Sequence, residues 1–248
     1  MGYSNDSKNY SYMLVWKKQR PKEYIKMLES VKEKMSDFVH METNEDNFDV
    51  EKYEFIYNAY KNKKYAFVSD MVRLLKLRDI GGIYLDTDVE VLQPFYPILD
   101  EKMFIGYMWD CNLGTAVIGA QPHHPIIEGL VNKYIYHASS ISLTEPNNDI
   151  FTRYFLENVN GFCLNGKEWA GENVHVFNKY SFEHPSFLRR KNFTVHKFQC
   201  SWKNENKLKR NIKIVISYNN LGLFVYRKYI CMKSNKLSPF YSVYSKKN

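Results

Sequence analysis

Residues 69–91 read SDMVRLLKLRDIGGIYLDTDVEV, a helix, a stop, a strand and a pair of carboxylates in that order. From Tyr65 to Ile80 the apolar residues Phe67, Val68, Met71, Val72, Leu74, Leu75 and Ile80 follow helical spacing. Gly81 and Gly82 end that helix, because glycine takes the left-handed cap conformation at little cost. Ile83-Tyr84-Leu85 is a short apolar run of the kind that forms a covered strand. Asp86 and Asp88 follow at i, i+2. On an extended backbone such residues point to one side, so both carboxylates can reach one hard cation. Oxygen ligands of this kind suit Mg²⁺ or Mn²⁺, ions that commonly hold substrate phosphates as well.

Taken alone, the Asp-x-Asp triplet fits either a cation site or a solvated turn after a strand. A calcium loop of the EF-hand type is excluded: its sixth position falls on Val91 instead of glycine, and its twelfth on Pro97 instead of glutamate. Asp70 and Arg73 stand at i, i+3 on one helix face. They form either an exposed ion pair, worth roughly 0.3 kcal/mol, or a pair turned toward the ligand held by the aspartates.

The block resembles glycosyltransferase family 32, the DXD-motif sugar transferases found in capsule and other surface-polysaccharide loci, and more distantly the catalytic domains of the large glucosylating toxins. Ser-Asp, an arginine three residues on, Gly-Gly, a hydrophobic-Tyr-hydrophobic strand and Asp-x-Asp stand here without a gap. The resemblance extends over most of residues 11–202. Gly114–Ala120 followed by His124-Pro125 is similar to the strand and turn after the metal site. Thr194-Val195-His196-Lys197-Phe198, then Ser201-Trp202, resembles the segment that closes the active site. Tyr12–Trp16 resembles the family's opening strand, with Trp16 aligned to the aromatic that stacks on the base, or else serving as a core aromatic. The turn after it, Lys17-Lys18-Gln19-Arg20, departs from the family pattern in having no glycine.

This resemblance implies a GT-A-like α/β domain with a mixed central sheet flanked by helices, and a retaining transferase using Mn²⁺ or Mg²⁺ and a nucleotide-sugar donor, a UDP-sugar ahead of a GDP-sugar. It implies Asp88 as direct metal ligand, Asp86 binding through water or holding the ribose, and His196 completing the metal shell. His196 is otherwise a buried structural histidine. Asp70 and Arg73 are expected to orient the donor sugar with Tyr84 near it, and Ser201 and Trp202 to close over the diphosphate. The acceptor is expected to be a glycan or lipid-linked saccharide. Two other classes stay open: a metal-dependent sugar-nucleotide hydrolase, and a non-catalytic, membrane-tethered carbohydrate-binding module.

At 248 residues and 44% hydrophobic content the chain can build one large α/β domain, with or without an appendage. Its four cysteines, Cys111, Cys163, Cys200 and Cys231, are spread without a Cys-x-x-Cys pair, against a zinc site or disulfide framework and for a reducing compartment. P-loop, dinucleotide-fold and serine-hydrolase signatures are absent from the sequence. Residues 1–10 contain no apolar stretch of a secretory signal, and no run reaches the ~18 apolar residues of a membrane span.

Charge is uneven. Residues 203–248 hold eleven Lys or Arg and one acid, Glu205, interleaved with Ile214, Val215, Ile216, Leu221, Leu223, Phe224, Val225 and Tyr226, whereas residues 1–202 are close to neutral. The expected organisation is therefore a catalytic domain over 1–202 and a basic, partly apolar tail over 203–248. That tail suits an anionic membrane surface, and the expected location is cytoplasmic, peripheral on the inner face of the membrane. A nucleic-acid patch, not expected here, a solvated tail, and a last helix or strand packed on the domain with Phe224 and Tyr226 inside are the competing readings.

Overall fold

A left-handed glycine, Gly81, joins a buried sixteen-residue helix to an inner strand of the main sheet. The structure is a computed structural model and describes residues 10–14, 22–136, 145–186, 192–197 and 220–246. The elements that build the first half are β1 (Tyr10–Leu14), α1 (Lys22–Lys34), β2 (Val39–Thr43), α2 (Glu54–Lys61), α3 (Tyr65–Ile80), β3 (Gly82–Leu85) and β4 (Val89–Val91). The second half adds β5 (Met103–Trp109), β6 (Asn112–Ala120), α4 (Pro125–Tyr136), α5 (Asn147–Asn158), β7 (Trp169–Ala170), β8 (His175–Phe177), α6 (Lys179–Phe182) and β9 (Thr194–His196). Two C-terminal helices follow, α7 (Asn220–Leu237) and α8 (Tyr241–Ser245).

Among the described residues, seven strands make one sheet in the order β2-β1-β3-β6-β5-β8-β7, and β4 pairs with β9 in a second, two-stranded sheet. The large sheet is mixed: β1 runs parallel to β2 and β3, while β6 is antiparallel to both β3 and β5. Successive strand residues face opposite sides, so the sheet is buried on both. On one side Tyr84, Met103, Ile105 and Tyr107 join the core built with α2, α3, α4 and α5. On the other, Ile83, Leu85 and Phe104 meet Tyr24, Val31 and Met35 of α1 and Phe182 of α6. This is the mixed sheet flanked by helices that the sequence implies.

Helix α3 is sunk in the core: Val68, Asp70, Met71, Val72, Arg73, Leu74, Leu75 and Leu77 are all buried. It stops at Gly81, whose φ of +66° is left-handed, and a Cβ there would lie 2.6 Å from Pro122 Cδ. Only glycine meets both constraints.

Two expectations change. Asp86 and Asp88 do not continue an extended strand; β3 ends at Leu85 and they occupy the turn before β4. The described part of the C-terminal segment, 220–246, does not form a separate appendage beyond residue 202. Asn235 of α7 donates to Asp110 at 2.8 Å, Ser238 hydrogen-bonds Asn112, and Phe240 is buried in the main core. Phe224 stacks on Tyr180. Residues 203–219, like Trp16, Ser201 and Trp202, lie outside the described residues.

Candidate active site and metal centre

The end of β3 delivers the aspartates. The Asp86 amide donates to the Ala116 carbonyl of β6 at 2.8 Å, and the Val89 amide to the Asp86 carbonyl at 3.1 Å, closing the turn. The Tyr84 hydroxyl donates to Asp86 Oδ1 at 2.5 Å, and Arg73 Nη1 lies 3.3 Å from the same oxygen. One carboxylate oxygen of Asp86 is thus fixed before any ligand arrives.

The small sheet supplies the third group. Val89 pairs with His196, and the Lys197 amide donates to the Asp88 carbonyl at 2.9 Å, so β9 lays His196 beside Asp88. His196 Nε2 stands 3.1 Å from Asp88 Oδ1, and its Nδ1 stands 2.7 Å from Glu183 Oε2. Burial opposes a charge on this imidazole, but Asp88 and Glu183 outweigh it and hold its pKa well above the ordinary value.

Asp86, Asp88 and His196 each offer a ligand atom, and the three atoms lie within 4.8 Å of one another. Donors on opposite sides of a divalent ion, at about 2.0–2.3 Å each, are separated by up to about 4.6 Å. Two carboxylates and one imidazole at this separation fit a small divalent cation. Asp86 and Asp88 are partly open to solvent while His196 is almost wholly enclosed, so the carboxylate side keeps positions for substrate.

Behind them, Asp70 and Arg73 are a buried pair, not an exposed one. Arg73 Nη2 lies 3.0 Å from Asp70 Oδ1, its Nη1 donates to the Thr115 carbonyl at 2.6 Å, and its Nε donates to the Ser69 carbonyl at 3.3 Å. Its guanidinium sits over the Tyr84 ring, 4.4 Å from the centroid. Burial raises the Asp70 pKa to about 6, with Arg73 opposing the rise and Asp86 adding to it. Tyr84, also enclosed, is pushed well above its ordinary value, first by burial, and stays a neutral donor. Sequence reading brought Asp70, Arg73, Tyr84, Asp86, Asp88 and His196 to this one neighbourhood. It missed Glu183, which no motif or spacing links to the aspartates, and gave Thr115 no role beyond its place in the Gly114–Ala120 strand.

Other histidines are tied elsewhere. His184 hydrogen-bonds the Met108 carbonyl at 2.7 Å, and burial lowers its pKa to about 3. His123, at φ +55°, and His124 form the turn before α4, where His124 meets the Asn173 carbonyl at 2.9 Å.

Fold and site define the chain's class as a GT-A-type α/β fold with a carboxylate–imidazole centre at the end of β3. Residues 7–105 match the family model described as a glycosyltransferase sugar-binding region containing the DXD motif. A human α-1,4-N-acetylglucosaminyltransferase is 27% identical over 97 residues, 39% of this chain and 27% of the relative's length. The chain thus spans about a quarter of that curated relative. The solved structure of the PaToxG glycosyltransferase shares the fold with a TM-score of 0.51 at 17% identity, over 62% of this chain and 69% of that one. Over residues 7–105 the chain is thus similar to DXD-motif glycosyltransferases, and it shares its fold with a solved one.

Proposed function

We propose that this chain transfers a sugar from a nucleoside-diphosphate donor to a glycan or lipid-linked saccharide, with retention of anomeric configuration, in capsular or other surface-polysaccharide synthesis. The observation that carries the reading is the convergence of Asp86, Asp88 and His196 at the end of the DXD strand. Donor class, stereochemistry and pathway are carried over from the family resemblance, with a UDP-sugar ahead of a GDP-sugar. The imidazole in the donor set favours Mn²⁺ over Mg²⁺, which prefers an all-oxygen shell.

A bound cation would neutralise charge on the diphosphate as the glycosidic bond breaks. Asp88 and His196 would hold it, and Asp86, anchored by Tyr84 and Arg73, would bind it through its remaining oxygen or through water. Asp70 presents a carboxylate to the donor sugar, and Arg73 sets its place and balances its charge. Ser201 and Trp202 are assigned to the diphosphate and Trp16 to the base, on the resemblance alone.

The outward face of α7 supports a membrane partner, with a cytoplasmic, peripheral location. Leu221, Val225, Tyr229 and Met232 are each more than half exposed, and Lys228, Lys233 and Lys236 are exposed among them. Among the described residues no helix is long and apolar enough to cross a membrane.

The test is a thermal-shift panel of UDP- and GDP-sugars with Mn²⁺, since a bound donor raises stability by mass action, followed by turnover with and without acceptor. Asp88→Asn should abolish transfer while the protein keeps a cooperative folded melt, a loss of at least several kcal/mol of transition-state stabilisation. Near-normal transfer by that variant, or wild-type activity after chelation, defeats the metal reading. Donor cleavage that no acceptor accelerates points to a hydrolase.

A further inference from the structure

We infer that Glu183 is the positioning carboxylate of the cation site, acting through His196. The inference rests on the reading of Asp86, Asp88 and His196 as that site.

A histidine can ligate through either ring nitrogen, and the hydrogen bond made by the other nitrogen decides which one is free. Here the Glu183 carboxylate lies 2.7 Å from Nδ1, while Nε2 faces Asp88 at 3.1 Å. With the Nδ1 proton donated to Glu183, the Nε2 lone pair is directed to the aspartate side, where the cation belongs. The negative charge of Glu183 also raises the basicity of the ligating nitrogen.

Glu183 is built for this contact. Its side chain is only 2% exposed. Its backbone caps α6, and the His196 amide donates to the Glu183 carbonyl at 3.2 Å. The Phe193 amide donates to the Ser181 carbonyl at 2.8 Å, and the Thr194 hydroxyl to the Phe182 carbonyl at 2.7 Å. The end of α6 and strand β9 are therefore tied together by these three hydrogen bonds. The carboxylate also needs space that only one residue type leaves: a Cβ on Gly114 of β6 would lie 2.3 Å from Glu183 Oε1. Within this enclosed setting the carboxylate has a specific partner, the His196 imidazole at 2.7 Å.

The test measures Mn²⁺ affinity of the full chain by electron paramagnetic resonance, without donor or turnover. Glu183→Gln keeps the shape and removes the charge, and it should weaken Mn²⁺ binding about tenfold or more. In a His196→Ala background the same substitution should add nothing, because its effect passes through the imidazole. Wild-type affinity in Glu183→Gln, or an equal loss with and without His196, overturns the inference. If His196→Ala and Asp88→Asn both leave Mn²⁺ binding intact, it is the underlying site reading that fails. Should Glu183→Gln not fold, the wild-type protein still decides. Long-range ¹H–¹⁵N spectra of the chain loaded with diamagnetic Zn²⁺, which accepts imidazole ligands, should show His196 with its proton on Nδ1, and a proton on Nε2 overturns the inference.

Discussion

Arg73 shows at the scale of one residue why a motif position resists substitution. Its guanidinium meets two carboxylates, two backbone carbonyls and the Tyr84 ring while almost wholly buried. Removing it leaves Asp70 enclosed without its counter-charge, a class of change that costs about 3–5 kcal/mol. Arg73→Ala is therefore expected to lower the denaturation midpoint markedly as well as kcat/KM, whereas an exposed pair would cost well under 1 kcal/mol. A midpoint within error of wild type would show that the pair carries no structural load. Asp70 gives a second readout. Its folded value, about 6, lies above the ordinary 3.8, so the folded protein binds this proton more tightly than the unfolded chain. Asp70 thus contributes stability in acid, and that contribution is lost as pH rises through about 6. The anion proposed to face the donor sugar exists only above that value. Between these two values, wild-type kcat/KM should fall with acid while the stability difference from Asp70→Asn grows in favour of wild type. Parallel activity profiles in the two proteins would remove Asp70 from donor binding.

At the scale of elements, the α3–β3 joint was legible because its signals are local: helical spacing, two glycines and a short apolar run. Gly81→Ala should cost at least about 1–2 kcal/mol by denaturant unfolding, since it adds left-handed strain to a Cβ placed 2.6 Å from Pro122. A neutral substitution there would contradict the tight packing of the joint. The DXD pair was legible as residues but not as geometry. The carboxylates converge through a turn, with β9 folded alongside, and i, i+2 alternation plays no part. His196 was reached only through the family resemblance. Glu183 was out of reach, because nothing in a thirteen-residue separation says that a helix end and a strand will be stitched together. The placement of α7 was illegible for another reason. Its apolar residues lie all around the helix, so no single face announces burial, and its inward contacts run through Cys231, Asn235 and the buried Phe240 beyond it. Truncation after residue 219 is accordingly expected to broaden the thermal melt or cause aggregation, by uncovering the Phe240 site and leaving Asp110 without its Asn235 partner. An unchanged cooperative melt would restore the picture of a detachable tail.

For the whole molecule, the charge asymmetry takes a different form from an arm attached to a finished domain. The inner side of α7 belongs to the fold, so deletion cannot separate docking from stability, and only its outer face can be tested for a partner. That face combines an exposed apolar stripe with three lysines, and the segment from residue 206 onward contains no acid. Such a surface is matched by anionic headgroups, where each basic residue contributes roughly 1 kcal/mol and apolar side chains enter the boundary region. The lysine tips are solvated, and replacing Lys228, Lys233 and Lys236 by glutamine should leave the melt and soluble donor turnover unchanged. Co-sedimentation with anionic vesicles should weaken by roughly 3 kcal/mol, on the order of a hundredfold. Binding of the wild-type chain should decline with added salt, since the attraction is screened within about 10 Å at 0.1 M, and vesicles of neutral lipid should retain little protein. Equal binding by the wild-type and triple-glutamine chains, or binding indifferent to salt and headgroup charge, would withdraw the membrane from this face and leave the stripe open to a protein partner.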